Sequence, residues 1–277
     1  QAIVQRTNSA FRLAPNAEPL LFRVFDVPVL VVQAAQALPR QEFAMHWQDR
    51  RQFPDASTVL DQHQAHSIIF ALIDPDETQQ QVRAAEAVSA VAAAFSKSDN
   101  TLGVHWAEAD MALTPDSLVT AFEQASAEAA KAADANLPIK PAWHRLLTLW
   151  INILPADAAA FLGAYIAAIN GPVPRDVPPD AIGFLTKGLV SFIGREIEMA
   201  PSGRPTAEQA LALVNLLAYL LDQGQVLNDS DTLGFSEERS IEARLLDAGK
   251  MPGYEQTPIL RLSYTVDEAA GEGQPAQ

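Results

Sequence analysis

The stretch that organises the chain is Gly183–Phe235, which reads GFLTKGLVSFIGREIEMAPSGRPTAEQALALVNLLAYLLDQGQVLNDSDTLGF. Its residues 189–199 alternate between two sets of side chains. Toward the end of this segment, Glu196 and Glu198 share one side while Arg195 and the apolar Ile197 share the other. A period of two predicts a strand with one face in water. Residues 201–203, which read PSG, then predict a turn.

The next segment, residues 206–223, is predicted to be the best-formed helix of the chain. Thr206 and Gln209 have the spacing of a capping box, and Gly224 stands where a helix often ends in a left-handed residue. A broad apolar face implies that this helix is buried against a sheet. The side chains of that face are Leu213, Val214, Leu216, Leu217, Leu220 and Leu221.

Length and composition indicate a folded protein with a substantial core. A chain of 277 residues allows one large domain or two modest ones. Hydrophobic residues make up 48% and charged residues 19%, which argues against global disorder. The apolar runs are too short to cross a bilayer, so we expect no membrane span.

The charge balance is strongly acidic, with a formal net charge of −15 and a pI near 4.6. This balance argues against nucleic-acid binding, because neutralising phosphates needs clustered Lys and Arg. It is explained either by solubility or by an acidic surface that meets a basic protein partner. The absence of cysteine excludes disulfides, thiolate zinc sites and a cysteine nucleophile, and favours a cytoplasmic location.

An earlier part of the chain repeats the same plan. We predict a buried central strand at 67–73, a helix at 78–95 and a short strand at 102–106. These three match, in order and approximate spacing, strand 189–199, helix 206–223 and segment 225–228. This correspondence predicts a duplicated α+β unit. A further helix is expected to start with Thr114 as N-cap and Pro115 at its first position.

The remaining segments complete an α+β protein of two related units, each a mainly antiparallel sheet with helices packed on one face. We predict a strand at 145–154, a helix at 155–170, and closing strands at 241–246 and 257–264. The expected organisation is an irregular lead-in at 1–18, an N-terminal unit at 19–137, a C-terminal unit at 138–265 and a disordered acidic tail at 266–277.

Several short motifs resemble a known family. They are TKGL at 186–189, GREIE at 194–198 and DSDTLG at 229–234, preceded by HQAHSII at 63–69 and LGVHW at 102–106. Together they are similar to the bacterial domain-of-unknown-function family DUF4261, over roughly residues 28–265. The resemblance implies a bacterial α+β protein, sometimes found in secretion or toxin-related settings. It carries no catalytic residues across, and Ser230 stands where Gly is expected after Asp229.

Two clusters could carry chemistry. Carboxylates from a strand and a nearby turn could converge on Mg²⁺ or Ca²⁺, and the candidates are Glu196, Glu198, Asp229 and Asp231. The alternative is that the two glutamates simply form the wet face of their strand. His63 and His66, with Asp61, could bind zinc, or the histidines could have a capping or packing role.

No sequence motif of a catalytic class is present: there is no nucleophile elbow, P-loop, dinucleotide fingerprint or zinc-protease helix. We therefore assign no catalytic residue and no cofactor. The expected function is non-catalytic binding of a protein, as an immunity or accessory protein that holds a basic partner such as a secreted toxin. The alternatives are a metal-dependent hydrolase built on the four carboxylates and a structural homo-oligomer. No nucleic acid or membrane is expected as a partner.

Overall fold

The structure is a computed structural model, and it describes residues 18–38, 53–73, 77–134, 145–158, 178, 180–236, 239–249 and 254–264. The chain divides into two compact units, Gln1–Asn152 and Ile153–Gln277. The division thus falls later than the predicted boundary between 137 and 138. The predicted acidic tail lies outside the described residues, as does the predicted lead-in apart from Glu18.

The described residues form helices and strands that confirm the α+β class. The strands are β1 (Leu20–Val24), β2 (Val27–Ala34), β3 (His66–Ala71), β4 (Val104–Trp106), β5 (Met111–Leu113), β6 (Asn152–Asp157), β7 (Ile182–Lys187), β8 (Glu196–Met199), β9 (Thr232–Ser236), β10 (Arg239–Leu246) and β11 (Ile259–Tyr264). The helices are α1 (Ala56–Gln62), α2 (Thr78–Ser96), α3 (Pro115–Asp134), α4 (Leu147–Trp150), α5 (Val190–Ile193) and α6 (Thr206–Gln223). None of the described helices is long and apolar enough to cross a membrane.

The N-terminal unit is built on a three-stranded antiparallel sheet in the order β1-β2-β3. Helix α2 covers one face of this sheet, where Ala87 and Val91 pack against Val27, Val29 and Val31. The alternation of β2 explains this packing, because its odd-numbered valines all lie on the covered face. Strands β4 and β5 form a separate antiparallel pair.

Two predictions for the N-terminal unit can be checked in detail. Helix α3 begins as expected, because the Ser117 N–H donates to the Thr114 hydroxyl at 3.1 Å. The strand predicted at 67–73 exists as β3, but it lies at the edge of its sheet and is largely half-buried. The prediction of a buried central strand was therefore wrong, since an apolar run alone does not tell a central strand from an edge strand.

The C-terminal unit contains a six-stranded mixed sheet in the order β6-β7-β8-β11-β10-β9. Neighbouring strands run antiparallel at β7–β8, β11–β10 and β10–β9, whereas β8 and β11 are parallel. Every residue of β8 is buried, and β11 is buried over Ile259–Leu262. The sheet therefore has its most enclosed part at β8 and β11.

The segment 189–199 is not one strand, and that prediction was wrong. It contains the single-turn helix α5, a left-handed Gly194 with φ of 73°, and then β8. The preceding strand β7 ends just before Gly188, whose φ is 102°. Two glycines in conformations that other residues rarely adopt allow the chain to leave β7, make one helical turn and return as β8.

Helix α6 has the predicted length, and Gly224 follows it with a positive φ of 80°. The capping box does not form, because Pro205 is the N-cap and Thr206 is already helical. Gln209 instead donates through Nε2 to the Arg204 carbonyl at 2.9 Å. The buried leucines are those of the predicted face: Leu213, Leu216, Leu217, Leu220 and Leu221.

The region around residue 150 also differs from its prediction. Residues 145–154 were predicted to be a strand, but Leu147–Trp150 form the short helix α4 and the strand β6 follows. Residues 155–157, predicted as helical, belong to β6, and most of the predicted helix 155–170 lies outside the described residues. Pro155 is accommodated because β6 is an edge strand.

The predicted internal duplication is not confirmed. The N-terminal unit contains a three-stranded antiparallel sheet, whereas the C-terminal unit contains a six-stranded sheet with an internal parallel pair. Residues 225–228, the predicted counterpart of strand 102–106, form no strand. The similar spacing of the two halves therefore reflects a similar order of segments without a shared sheet topology.

Candidate functional site

The two glutamates predicted to face water are buried. Glu196 is 2% exposed and Glu198 is 0% exposed, and both belong to β8. Strand β8 is paired on both edges, by β7 and β11, and all four of its residues are buried, so both of its faces are enclosed. The alternation read from the sequence is real, but it separates two buried faces of the sheet. The two carboxylates therefore need partners inside the protein.

Glu196 receives four hydrogen bonds. The Thr186 hydroxyl donates to Oε2 at 2.7 Å and the Gly188 N–H to Oε1 at 2.7 Å, while the N–H groups of Leu189 and Val190 donate at 3.2 Å and 3.1 Å. The three backbone N–H groups lie at the start of α5, where the first N–H groups of a helix have no carbonyl acceptor within the helix. Glu196 thus ties the connection between β7 and α5 to β8.

The protonation of Glu196 is set by two opposing effects. Burial raises the pKa of its carboxyl above the ordinary value of 4.5, because the charged form is poorly solvated inside the protein. Hydrogen bonds from Thr186 and from the backbone at 188–190 act in the other direction, since they stabilise the carboxylate. Burial is the larger effect, and the pKa is raised.

Glu198 forms a buried ion pair with Arg261. Nε and Nη2 of Arg261 donate to Oε2 at 3.1 Å and 2.5 Å, and Arg261 is only 7% exposed. The parallel pairing of β8 with β11 sets Arg261 directly beside Glu198 in the ladder. The ion pair therefore joins two strands whose residues are 63 positions apart in the sequence.

Tyr254 completes this group, which we call the buried polar cluster: Thr186, Glu196, Glu198, Tyr254 and Arg261. The Tyr254 hydroxyl donates to the Thr186 carbonyl at 2.9 Å. Burial raises the pKa of Tyr254, and the nearby charges of Glu196 and Glu198 raise it further. Tyr254 therefore keeps its proton at neutral pH and acts as a hydrogen-bond donor.

Asp229 and Asp231 occupy a different kind of position, in the turn before β9. Asp229 is exposed and Asp231 half-exposed. Asp229 accepts the Leu245 N–H at 2.9 Å, and Asp231 accepts the Asn228 N–H at 2.7 Å. Ser230 between them has a left-handed φ of 69°. These two carboxylates hold the turn in shape and fasten it to β10, whereas the two glutamates of β8 are engaged inside the sheet.

His63 and His66 both form hydrogen bonds with backbone groups. His63 Nε2 accepts the Leu38 N–H at 2.7 Å, so Nδ1 carries the proton and donates to the Leu60 carbonyl at 2.8 Å. His66 donates through Nδ1 to the Gln36 carbonyl at 2.7 Å. Asp61 is exposed. A zinc ligand needs an available nitrogen lone pair, and in His63 this lone pair is already occupied.

Within the described part of the chain, no group of three or more His, Asp or Glu side chains has an arrangement that could hold a metal ion. Three members of the buried polar cluster were not predicted from the sequence, namely Thr186, Tyr254 and Arg261. Arg261 had a usable signal, because it is the one charge in the apolar segment ILRLSY of β11. A lone charge in a strand of that kind needs a buried partner of opposite sign.

Comparisons with curated proteins and with solved structures found no match. The family resemblance read from the sequence is confirmed over one segment, which runs from β7 to the first residue of β11. This segment contains Glu196 and Glu198, the turn with Asp229 and Asp231, and helix α6, but it stops two residues before Arg261. Residues 185–259 match the family described as Domain of unknown function (DUF4261).

Proposed function

We propose that this is a non-catalytic protein-binding protein whose acidic surface holds a basic partner. More specifically, the chain is an immunity or accessory protein of bacterial origin with a cytoplasmic location, and its basic partner is a secreted toxin. One observation carries it. Apart from Glu196 and Glu198, every Asp and Glu side chain whose burial is described is at least partly exposed. Apart from these two glutamates, the acidic side chains of the described residues therefore contribute their charge at the surface.

The positions of the four candidate carboxylates also support binding over hydrolysis. A metal-dependent hydrolase would need several of these side chains around one cation. Glu196 instead accepts hydrogen bonds from Thr186 and three backbone groups, and Glu198 pairs with Arg261. Asp229 and Asp231 accept backbone hydrogen bonds in their turn. Each carboxylate thus has a structural partner that accounts for its position.

A surface of this charge would attract a basic protein from a distance. Complementary charge raises the rate of association and is screened by salt, with a Debye length of about 8 Å at physiological ionic strength. The proposal therefore predicts a complex whose association rate falls as salt is added. It also predicts that replacing exposed acidic side chains weakens binding gradually, whereas replacing one buried glutamate changes stability.

The test is affinity capture from an extract of the native host on the immobilised full chain. Polyglutamate beads of similar charge serve as the control for non-specific attraction. We expect a specific basic protein that the beads do not retain, and its purified form should bind more weakly to a D55K/D99K/E108K variant. These three side chains are exposed. Recovery of the same proteins on both supports would contradict the proposal.

A further inference from the structure

Strand β1 carries large apolar side chains that are exposed on both faces of its sheet. Leu21 is 65% exposed, and on the opposite face Leu20 is 41% and Phe22 38% exposed. Phe25 in the following turn is 60% exposed and has a left-handed φ of 50°. Single exposed apolar residues are ordinary, but four on one short strand and its turn indicate an interaction surface.

The main chain of β1 is also open on one side. Strand β1 is the first in the order β1-β2-β3, and Arg23 lies opposite Pro28. Pro28 has no N–H, and its carbonyl accepts the Leu72 N–H at 2.8 Å on the β3 side. The N–H and carbonyl of Arg23 therefore point away from β2, as do those of Leu21 two residues earlier. Within the described part of the chain, these four groups have no partner strand.

The usual protections of an edge strand are weak here. Natural sheets block their edges with lysines, prolines within the strand, or bulges. The pairing of β1 with β2 is regular from Leu20–Val31 to Val24–Val27. The single charge within β1 is Arg23, which forms an exposed ion pair with Asp26 at 3.5 Å. A regular, apolar and open edge is a template for another strand.

We propose that two copies of this chain associate by antiparallel pairing of β1 with β1 of the second copy, about a two-fold axis. The register follows from the open groups. Leu21 of each copy lies opposite the partner's Arg23, so that all four outward-pointing groups form hydrogen bonds across the axis. Phe22 lies on the axis against the partner's Phe22. Each Phe22 already rests edge-to-face on Phe95 at 6.4 Å, so the two rings extend an existing apolar cluster.

A second copy fits this edge better than a basic protein does. Strand β1 has no acidic side chain, and its one charge is positive, so it is not part of the acidic surface proposed to hold a basic partner. Antiparallel pairing of the strand with itself sets Leu20 against Val24 and Phe22 against Phe22, and it sets Leu21 against the long apolar stem of Arg23. This inference is independent of the proposed function, because it uses a different surface and a different partner.

The dimer is expected to be weak and to become stronger with salt. A pair of five-residue strands lies at the small end of specific interfaces, so a dissociation constant on the order of 1 to 100 µM is expected. Two chains of charge −15 repel each other, and added salt screens this repulsion. A complex with a basic partner would show the opposite salt dependence.

The experiment is sedimentation velocity of the full chain from about 2 to about 200 µM. The test variants are L21K, which places a charge on the exposed strand, and R23P, which removes an outward N–H that the monomer does not use. The matched control is L211K, because Leu211 on α6 is 62% exposed and receives the same substitution. Circular dichroism of each variant checks that the fold is retained.

We expect the wild type and L211K to shift to dimer as concentration rises, and L21K and R23P to weaken the dimer at least about 10-fold. If R23P disturbs folding, the effect of L21K on the dimer alone tests the proposal. A wild type that stays monomeric over this range would overturn the proposal, as would unchanged dimers of L21K. Amide exchange gives an independent check: slow exchange of Leu21 and Arg23 in the monomer would mean that the edge is already occupied within the chain.

Discussion

The ion pair between Glu198 and Arg261 offers the sharpest test of how the C-terminal sheet is held together. Replacing either partner by Met keeps a side chain of similar length but leaves the other charge buried without its counterion. Removing one member of a buried pair typically costs about 3 to 5 kcal/mol. The upper part of this range is expected here, because Glu198 is 0% and Arg261 7% exposed, so water reaches neither group easily.

The double variant E198M/R261M should behave differently. Replacing a whole buried pair by apolar groups of similar volume is often neutral or stabilising, because the desolvation of both charges is avoided. We therefore expect the double variant to lie within about 1 kcal/mol of the wild type, whereas the two single variants lose about 4 to 5 kcal/mol each. The coupling between the two sites would then amount to several kcal/mol.

The assay is urea unfolding followed by circular dichroism and tryptophan fluorescence, with all four proteins of the cycle measured at one pH and temperature. The melting temperature of each single variant should fall by roughly 10 °C. Met at exposed Arg244 on β10 is the matched control, since its ion pair with Glu242 is half-exposed and should contribute little. Additive effects in the double variant, or losses below about 1 kcal/mol in both single variants, would refute the reasoning.

Three further predictions concern single residues. The pKa of Glu196 is raised by burial, so its contribution to stability is full below the ordinary value of 4.5 and is lost as the pH rises through the folded value. The stability difference between wild type and E196Q, from urea unfolding between about pH 4 and pH 8, should therefore decrease with pH, and an increase would mean that the four hydrogen bonds outweigh burial. Burial lowers the pKa of His66 below 6.5, so its contribution is present above 6.5 and lost as the pH falls through the folded value. H66Q should flatten the loss of melting temperature below pH 6.5, and an unchanged slope would contradict this. Ser230 has a left-handed φ of 69°, so S230G should stabilise the protein by about 0.5 kcal/mol, and a clear loss in thermal unfolding would show that the Ser230 hydroxyl matters more than the backbone strain.

The sequence predicts best where local rules decide the structure. Helix α2, helix α3 with its Thr114 cap, and helix α6 with Gly224 after it all follow from periodicity and end signals that lie within a few residues. The closing strands near 241–246 and 257–264 were likewise placed within a few residues of β10 and β11. In these segments, the tertiary structure agrees with the local preference.

The predictions fail where contacts between residues distant in the sequence determine the structure. The alternation around Glu196 and Glu198 is also the pattern of a half-exposed strand, and only the folded structure shows that the side chains on both faces of β8 are buried. Arg261 neutralises Glu198 from 63 positions away, which no local pattern reveals. Segment 189–199 was wrongly predicted to be one strand. Gly188 and Gly194 have positive φ angles that let the chain make one helical turn between β7 and β8, and the alternation of side chains gives no sign of this turn. The buried environment of Glu196 and Glu198 could therefore not be predicted from the sequence.

The place of β11 in the C-terminal sheet has a consequence for how the protein is made. Strand β11 is the last described strand along the chain, yet it lies between β8 and β10 in the middle of the sheet. During synthesis, β8 and β10 leave the ribosome before the strand that will join them. Until β11 arrives, each exposes an unpaired edge, and Glu198 lacks its arginine. The sheet can thus close only when residues 259–264 have emerged, so a ribosome-stalled chain ending before Ile259 should remain sensitive to protease and bind chaperones.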